Sequence, residues 1–131
     1  MASSTPLCTI VATLRFKPIG KLATGMKLDV PFEGVATSER WEGEWRVEGT
    51  DDVTIGADGI QQLDIRGRIS NGERTIKYAA IGRGTNDTGP QELMTFETAD
   101  EELADLNSTV AVAFGSIDGD QLTLHVESLT R

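Results

Sequence analysis

The sequence predicts an all-β protein, an antiparallel β-barrel of about 8 to 10 strands with one short helix. Three observations lead there. Apolar residues recur with a period of two, Asp-Gly and Asn-Gly pairs stand between the alternating runs, and only one segment carries helix-start signals.

The first strand, 7–16, places Cys8, Ile10, Ala12, Leu14 and Phe16 on one face and Thr9, Val11, Thr13 and Arg15 on the other. Strands follow at 20–30, 32–37, 41–48 and 52–55. In 60–69, Leu63, Ile65 and Ile69 alternate with Asp64, Arg66 and Arg68. Strands at 74–82, 91–97, 109–115 and 121–129 complete the set. In the last, Leu122, Leu124 and Val126 alternate with Thr123, His125 and Glu127. Asp58-Gly59, Asn71-Gly72 and Asp118-Gly119 tolerate the positive φ angles of tight turns and predict three hairpins. The stretch 82–90 reads as a polar loop. In Thr98-Ala99-Asp100-Glu101 the spacing is that of a capping box, with Thr98 as cap and Glu101 reaching back, and it predicts the single helix, over 98–107.

A chain of 131 residues can bury roughly two thirds of its unfolded surface, so one domain, 1–131, builds a core without disulfide or metal. There is no internal repeat and no linker. Twenty-one acidic against twelve basic residues give a net charge of −9, which disfavours nucleic acid as a partner. No apolar run approaches the roughly 18 residues of a spanning helix, so no membrane partner is expected. One cysteine, Cys8, forms no intrachain disulfide, and the start of the chain lacks the basic and apolar regions of a secretory signal. The expected location is cytoplasmic. The triplets at Asn86 and Asn107 match a glycosylation pattern that matters only in a secreted protein. With one histidine and one cysteine, zinc-ligand spacings are absent, as are a dinucleotide or phosphate-binding glycine loop and a GxSxG elbow. No cofactor and no metal are expected.

Candidate site residues come from strand faces. Gln62, Asp64, Arg66 and Arg68 share one face of the 60–69 strand. That row is either a solvated ion-pair face or a pocket wall in which Asp64 and Arg66 fix a ligand and Arg68 assists. Tyr78, the one tyrosine, is either a core aromatic or a hydrogen-bond donor to a carbonyl. Trp41 and Trp45 flank Gly43 and form either core or an aromatic wall for a flat ligand. His125, on the polar face of the last strand, is a surface residue or, if that face is the lumen, a proton shuttle. The acidic stretch Asp100 to Asp105 reads as a solvated helix face.

The chain resembles a family of small bacterial and fungal β-barrels of unknown function. The residues that carry the likeness are Gly25 to Pro31 with Phe32-Glu33-Gly34, Gly43-Glu44, Gly49, Asp51 and Asp58-Gly59, then Leu63-Asp64-Ile65-Arg66, Ile76 and Tyr78, and finally Phe96-Glu97-Thr98 and Leu106-Asn107. The resemblance implies a compact, calycin-like barrel over nearly the whole chain and no stated activity.

Three functions follow from these readings. The leading one is an enzyme doing cofactor-free acid/base chemistry (isomerisation, cyclisation or dehydration) on a small, partly apolar organic molecule, with Asp64, Arg66 and Tyr78 as catalytic groups and Trp41, Trp45, Arg68 and His125 holding the ligand. The alternatives are a non-catalytic calycin-type binding protein and an interaction module without a pocket. A homodimer is expected, since open strand edges are often buried against a second copy.

Overall fold

The computed structural model describes residues 3–130. Among them are nine strands: β1 (Ser3–Leu14), β2 (Lys17–Leu22), β3 (Gly25–Thr37), β4 (Trp45–Ile55), β5 (Gln61–Ser70), β6 (Thr75–Thr85), β7 (Gly89–Thr98), β8 (Val110–Asp118) and β9 (Gln121–Thr130). A 3-10 helix, Glu101–Ser108, separates β7 from β8. All neighbours are antiparallel in the order β1-β9-β8-β7-β6-β5-β4-β3-β2, and β1 also pairs with β3. Eight strands therefore close into a barrel, with β2 as an extension. Among the described residues no helix is long and apolar enough to cross a membrane.

Alternation decides which face turns inward. On β5, Leu63, Ile65 and Ile69 are buried while Asp64, Arg66 and Arg68 are exposed, and each strand of the closed barrel repeats the pattern around one core. The three glycines of the anticipated hairpins, Gly59, Gly72 and Gly119, all have positive φ. The Asn71 carboxamide accepts from the Glu73 and Arg74 amides, and the Asp58 carboxylate from the Ile60 amide, so these two turns are fixed by their own side chains.

Several anticipated breaks do not occur. Strands expected at 20–30 and 32–37 are one strand, β3, running through Pro31. The Pro31 carbonyl accepts from the Arg15 amide, and its missing N–H points to the same side, where β3 passes from β2 to β1 and no ladder bond is lost. Likewise 41–48 and 52–55 merge into β4, and Trp41 lies in the preceding loop. The polar stretch 82–90 is mostly strand, with only 86–88 between β6 and β7. There the Thr85 hydroxyl accepts from the Asp87 and Thr88 amides and closes the turn. The helix is capped by Asp100, which accepts from the Leu103 amide, rather than by Thr98. The Thr98 hydroxyl is committed to the Thr75 carbonyl and the Asp100 amide.

The barrel's two ends differ. At one end the helix lays Leu103 and Leu106 onto the core beside the Trp41–Trp45 pair. Arg74 grips Asp100 through two bonds of 2.8 and 2.6 Å and covers the Trp45 ring, and Arg40 grips Asp105 through bonds of 3.0 and 2.7 Å. This end is plugged. The other end, ringed by the 56–60, 86–88 and 119–120 turns, opens into the lumen. Closure also leaves β2 with the open edge of the sheet, and Lys17, Pro18 and Lys21 there oppose pairing with another strand.

Candidate functional site

A cavity of about 370 Å³ fills the open half of the barrel. Its walls are apolar, built from residues such as Ile10, Leu28, Val30, Phe32, Val53, Leu63, Ile65 and Leu124. Deep in the lumen Asp51 from β4, Tyr78 from β6 and Glu92 from β7 interrupt them, and Gln61, Thr85 and Asn86 add neutral polar groups at the mouth. Among the described residues no lysine, arginine or histidine lines the cavity.

Period two explains how these groups come to face inward. On β4, Asp51 is in phase with Val47 and Val53, and on β7, Glu92 is in phase with Met94 and Phe96. Each is a carboxyl at a position the pleat assigns to the core. The register then supplies space for the long side chains. One row across the sheet reads Phe32, Gly49, Gly67, Tyr78, Phe96. A Cβ on Gly67 would stand 2.5 Å from the Tyr78 hydroxyl, and one on Gly49 would stand 2.7 Å from the Phe32 ring. The two rings therefore lie over the two glycines from opposite sides, and Tyr78 is carried across β5 toward β4, the strand of Asp51. Two rows nearer the mouth, Gly82 pairs with Glu92, and a Cβ there would stand 2.9 Å from the Glu92 Cγ. Glycine at 67 and 82 thus makes room for Tyr78 and Glu92, one residue each.

Electrostatics distinguishes the two carboxyls. Burial pushes Glu92 up to about 8, and the charge of Asp51 adds to the rise. Burial also pushes Asp51 up to about 6, opposed by the hydrogen bond it accepts from the Asp64 amide at 3.1 Å. Near neutral pH the pair therefore keeps one proton, on Glu92, and one negative charge, on Asp51. Tyr78 is raised by burial and then by the charge of Glu92, and remains a neutral phenol. Among the described residues no polar side-chain atom is sealed away without a partner. The Glu92 carboxyl and the Tyr78 hydroxyl, which have no protein partner among the described residues, therefore face cavity space. Chemically this is one carboxylate base beside two neutral proton donors on an apolar wall. Among the described residues no group of three or more potential metal ligands converges.

Of the residues singled out from sequence, Tyr78 lines the cavity. Asp64, Arg66 and Arg68 do not: they lie on the outside of β5, because Leu63, Ile65 and Ile69 take the inner face. Arg66 pairs with Asp64 at 2.9 Å, both well exposed, which is the solvated ion-pair face. His125 is likewise outside, against Phe114, since Leu124 and Val126 point inward. Trp41 and Trp45 are buried and stacked, with centroids 4.6 Å apart, but at the plugged end and away from the cavity lining. They are core. The structure thus places Asp64, Arg66, Arg68 and His125 outside the barrel and Trp41 and Trp45 away from the cavity lining. Glu92 was missed although its phase with Met94 and Phe96 is visible in the sequence. Asp51 was missed because Gly49 to Asp51 read as a break between strands.

Compared with known proteins, the chain matches no family model and no curated protein. Solved structures do match. A protein of unknown function from Clostridium acetobutylicum superposes with a TM-score of 0.88 at 16% identity, covering 99% of this chain and 100% of that one. A β-barrel-like protein from Acinetobacter baumannii gives 0.87 at 19% identity, over 99% and 97% of the two chains. An enzyme from Penicillium herquei gives 0.77 at 18% identity, over 98% and 95%. At these identities the likeness concerns architecture, and it agrees with the resemblance drawn from sequence: the chain has the fold of bacterial β-barrel proteins whose function is uncharacterised.

Proposed function

We propose that the protein is an enzyme that moves protons on a small, largely apolar organic molecule without a cofactor, an isomerisation, cyclisation or dehydration carried out in the barrel lumen. One observation carries this reading: Asp51, Glu92 and Tyr78 converge on an apolar cavity with the two carboxyls held in different protonation states. Asp51 is the base. Raised to about 6, it is stronger than an ordinary aspartate yet still ionised at neutral pH. Glu92 and Tyr78 are donors to a carbonyl or hydroxyl oxygen as negative charge develops on it. The apolar walls bind the substrate body and keep water from competing for these hydrogen bonds.

That a barrel of this architecture serves as an enzyme in Penicillium herquei is compatible with the reading. A calycin-type carrier needs no buried pair of carboxyls, and the cavity argues against an interaction module without a pocket.

The test uses an uncharged aromatic probe, nitrobenzisoxazole. A carboxylate removes its ring C–H proton, the electron pair forms the nitrile, the N–O bond breaks, and a coloured phenolate leaves. We expect turnover by the wild type that rises with pH through the ionisation of Asp51, falls at least tenfold in Asp51→Asn, and falls less in Tyr78→Phe. Wild-type turnover no faster than that of Asp51→Asn would remove Asp51 as the base.

A further inference from the structure

We propose that Asp51 and Glu92 also set a charge rule for the cavity: its substrate is a free apolar carbonyl or hydroxyl compound bearing no carboxylate, phosphate or other anionic group. The inference rests on the cavity being the reaction site and adds the class of molecule that enters it.

Two observations on geometry carry it. First, the side chains that meet an occupant include two carboxyls and no cation, and the polar residues among the mouth turns and their flanks, Gln61, Thr85 and Asn86, are neutral. A carboxylate or phosphate in this space would lose its hydration and find no guanidinium, ammonium or imidazolium to replace it. Second, Glu92 is 8% exposed and Tyr78 4%, and their oxygens face the cavity without a protein partner among the described residues. They ask for a hydrogen-bond acceptor, which a ketone, aldehyde or hydroxyl oxygen provides without charge. Beyond the mouth, the chain's net charge of −9 repels anions further. A phosphorylated or coenzyme-tethered form of the substrate is thereby excluded. The reaction that supplies the substrate must end by freeing it from any such group.

The size of the effect follows from Coulomb's law. An anion about 6 Å from the Asp51 carboxylate, at an effective dielectric of about 20, is disfavoured roughly 100-fold against an uncharged molecule of the same shape. Ammonium on the same body gains by the same interaction and offsets its own desolvation.

Three probes with one compact apolar cage test this: adamantanol, adamantylamine and adamantane sulfonate, titrated by calorimetry into the wild type at about pH 7, where Asp51 is ionised and Glu92 keeps its proton. We expect the alcohol and the amine to bind and the sulfonate to bind roughly 100-fold more weakly than the alcohol. In Asp51→Asn the sulfonate should recover to within a few-fold of the alcohol. In the wild type its handicap should shrink on moving to about pH 5, where Asp51 is protonated and the sulfonate is not; this arm needs no variant to fold. Sulfonate binding within threefold of the alcohol at about pH 7 would overturn the charge rule and leave the cavity as a site. A handicap unchanged by both the substitution and the pH step would do the same. If none of the three binds, the cavity is no small-molecule site, and the proposed function fails with the charge rule.

Discussion

Glu92 gives the sharpest quantitative test, because its burial ties the stability of the whole barrel to pH. Its carboxyl is pushed from 4.5 to about 8 in the folded protein. The sign is opposite to that of a salt-bridged carboxylate. Between these two values the native state holds a proton that the unfolded chain gives up, so unfolding free energy falls as pH rises. The full contribution is present below about 4.5, is lost progressively, and is gone above about 8. One pH unit corresponds to 1.36 kcal/mol per proton, and the window spans about 3.5 units, which bounds the loss at roughly 5 kcal/mol. Water at the cavity mouth reduces it, leaving an expectation on the order of 3 to 5 kcal/mol. Glu92→Gln keeps the shape and cannot ionise. Urea unfolding of both proteins at intervals from about pH 5 to about pH 9 gives the difference between them, in which groups other than Glu92 largely cancel. The variant should gain on the wild type by about 3 kcal/mol or more over that range. A difference constant to within about 0.5 kcal/mol would refute the argument that Glu92 is buried as the neutral acid.

Arg66→Ala, Arg68→Ala and His125→Ala should each change stability by about 0 to 1 kcal/mol and leave probe turnover unaltered, since all three side chains are outside the barrel. Gly67→Ala drives a methyl into the Tyr78 ring and should cost about 1 to 3 kcal/mol by urea unfolding, with the near-ultraviolet tyrosine signal changed. Arg74→Ala should lower the thermal midpoint, because it strips Asp100 and uncovers Trp45, whereas Arg46→Ala, whose ion pairs are exposed, should not. The Cys8 thiol, buried and pushed up to about 12, should resist disulfide reagents near pH 8 in the native protein and react once it is unfolded.

The strand period made the fold legible, and with it the hairpins at Gly59, Gly72 and Gly119. Breaks were the weak point, for a physical reason. Pro31 and Gly49 are signals of interruption when read locally. In the barrel, Pro31 falls where β3 changes neighbours, and Gly49 falls where the Phe32 ring needs the space of a side chain. Long-range register, which no local window contains, decides both. The sequence reading took polar residues on a strand to mark the chemical face, and the structure puts that row outside the barrel. In a barrel with an apolar lumen the polar face is the outside. The informative residues are then the few polar ones in phase with the core, Asp51, Tyr78 and Glu92, whose positions break the apolar pattern instead of making up the polar one.

The same reasoning explains why the functional groups occupy one end of the molecule. Burying carboxyls costs stability, so it is tolerable only where the rest of the core does not depend on them. At the plugged end the two tryptophans, Leu103 and Leu106 pack without a buried carboxyl among them, and the Arg74–Asp100 and Arg40–Asp105 pairs pin the helix from outside. At the open end the turns are short and self-bonded, through Asp58 and Thr85, and so hold the mouth in shape without filling it. The lumen between them can keep a cavity and an unequal pair of carboxyls because the closed ladder, continuous around all eight strands, fixes its walls independently of what occupies it. Asp51, Tyr78 and Glu92 stand on β4, β6 and β7, on strand backbone and not on loops, so their spacing is set before any ligand arrives. Catalysis by positioned proton transfer requires that order of events.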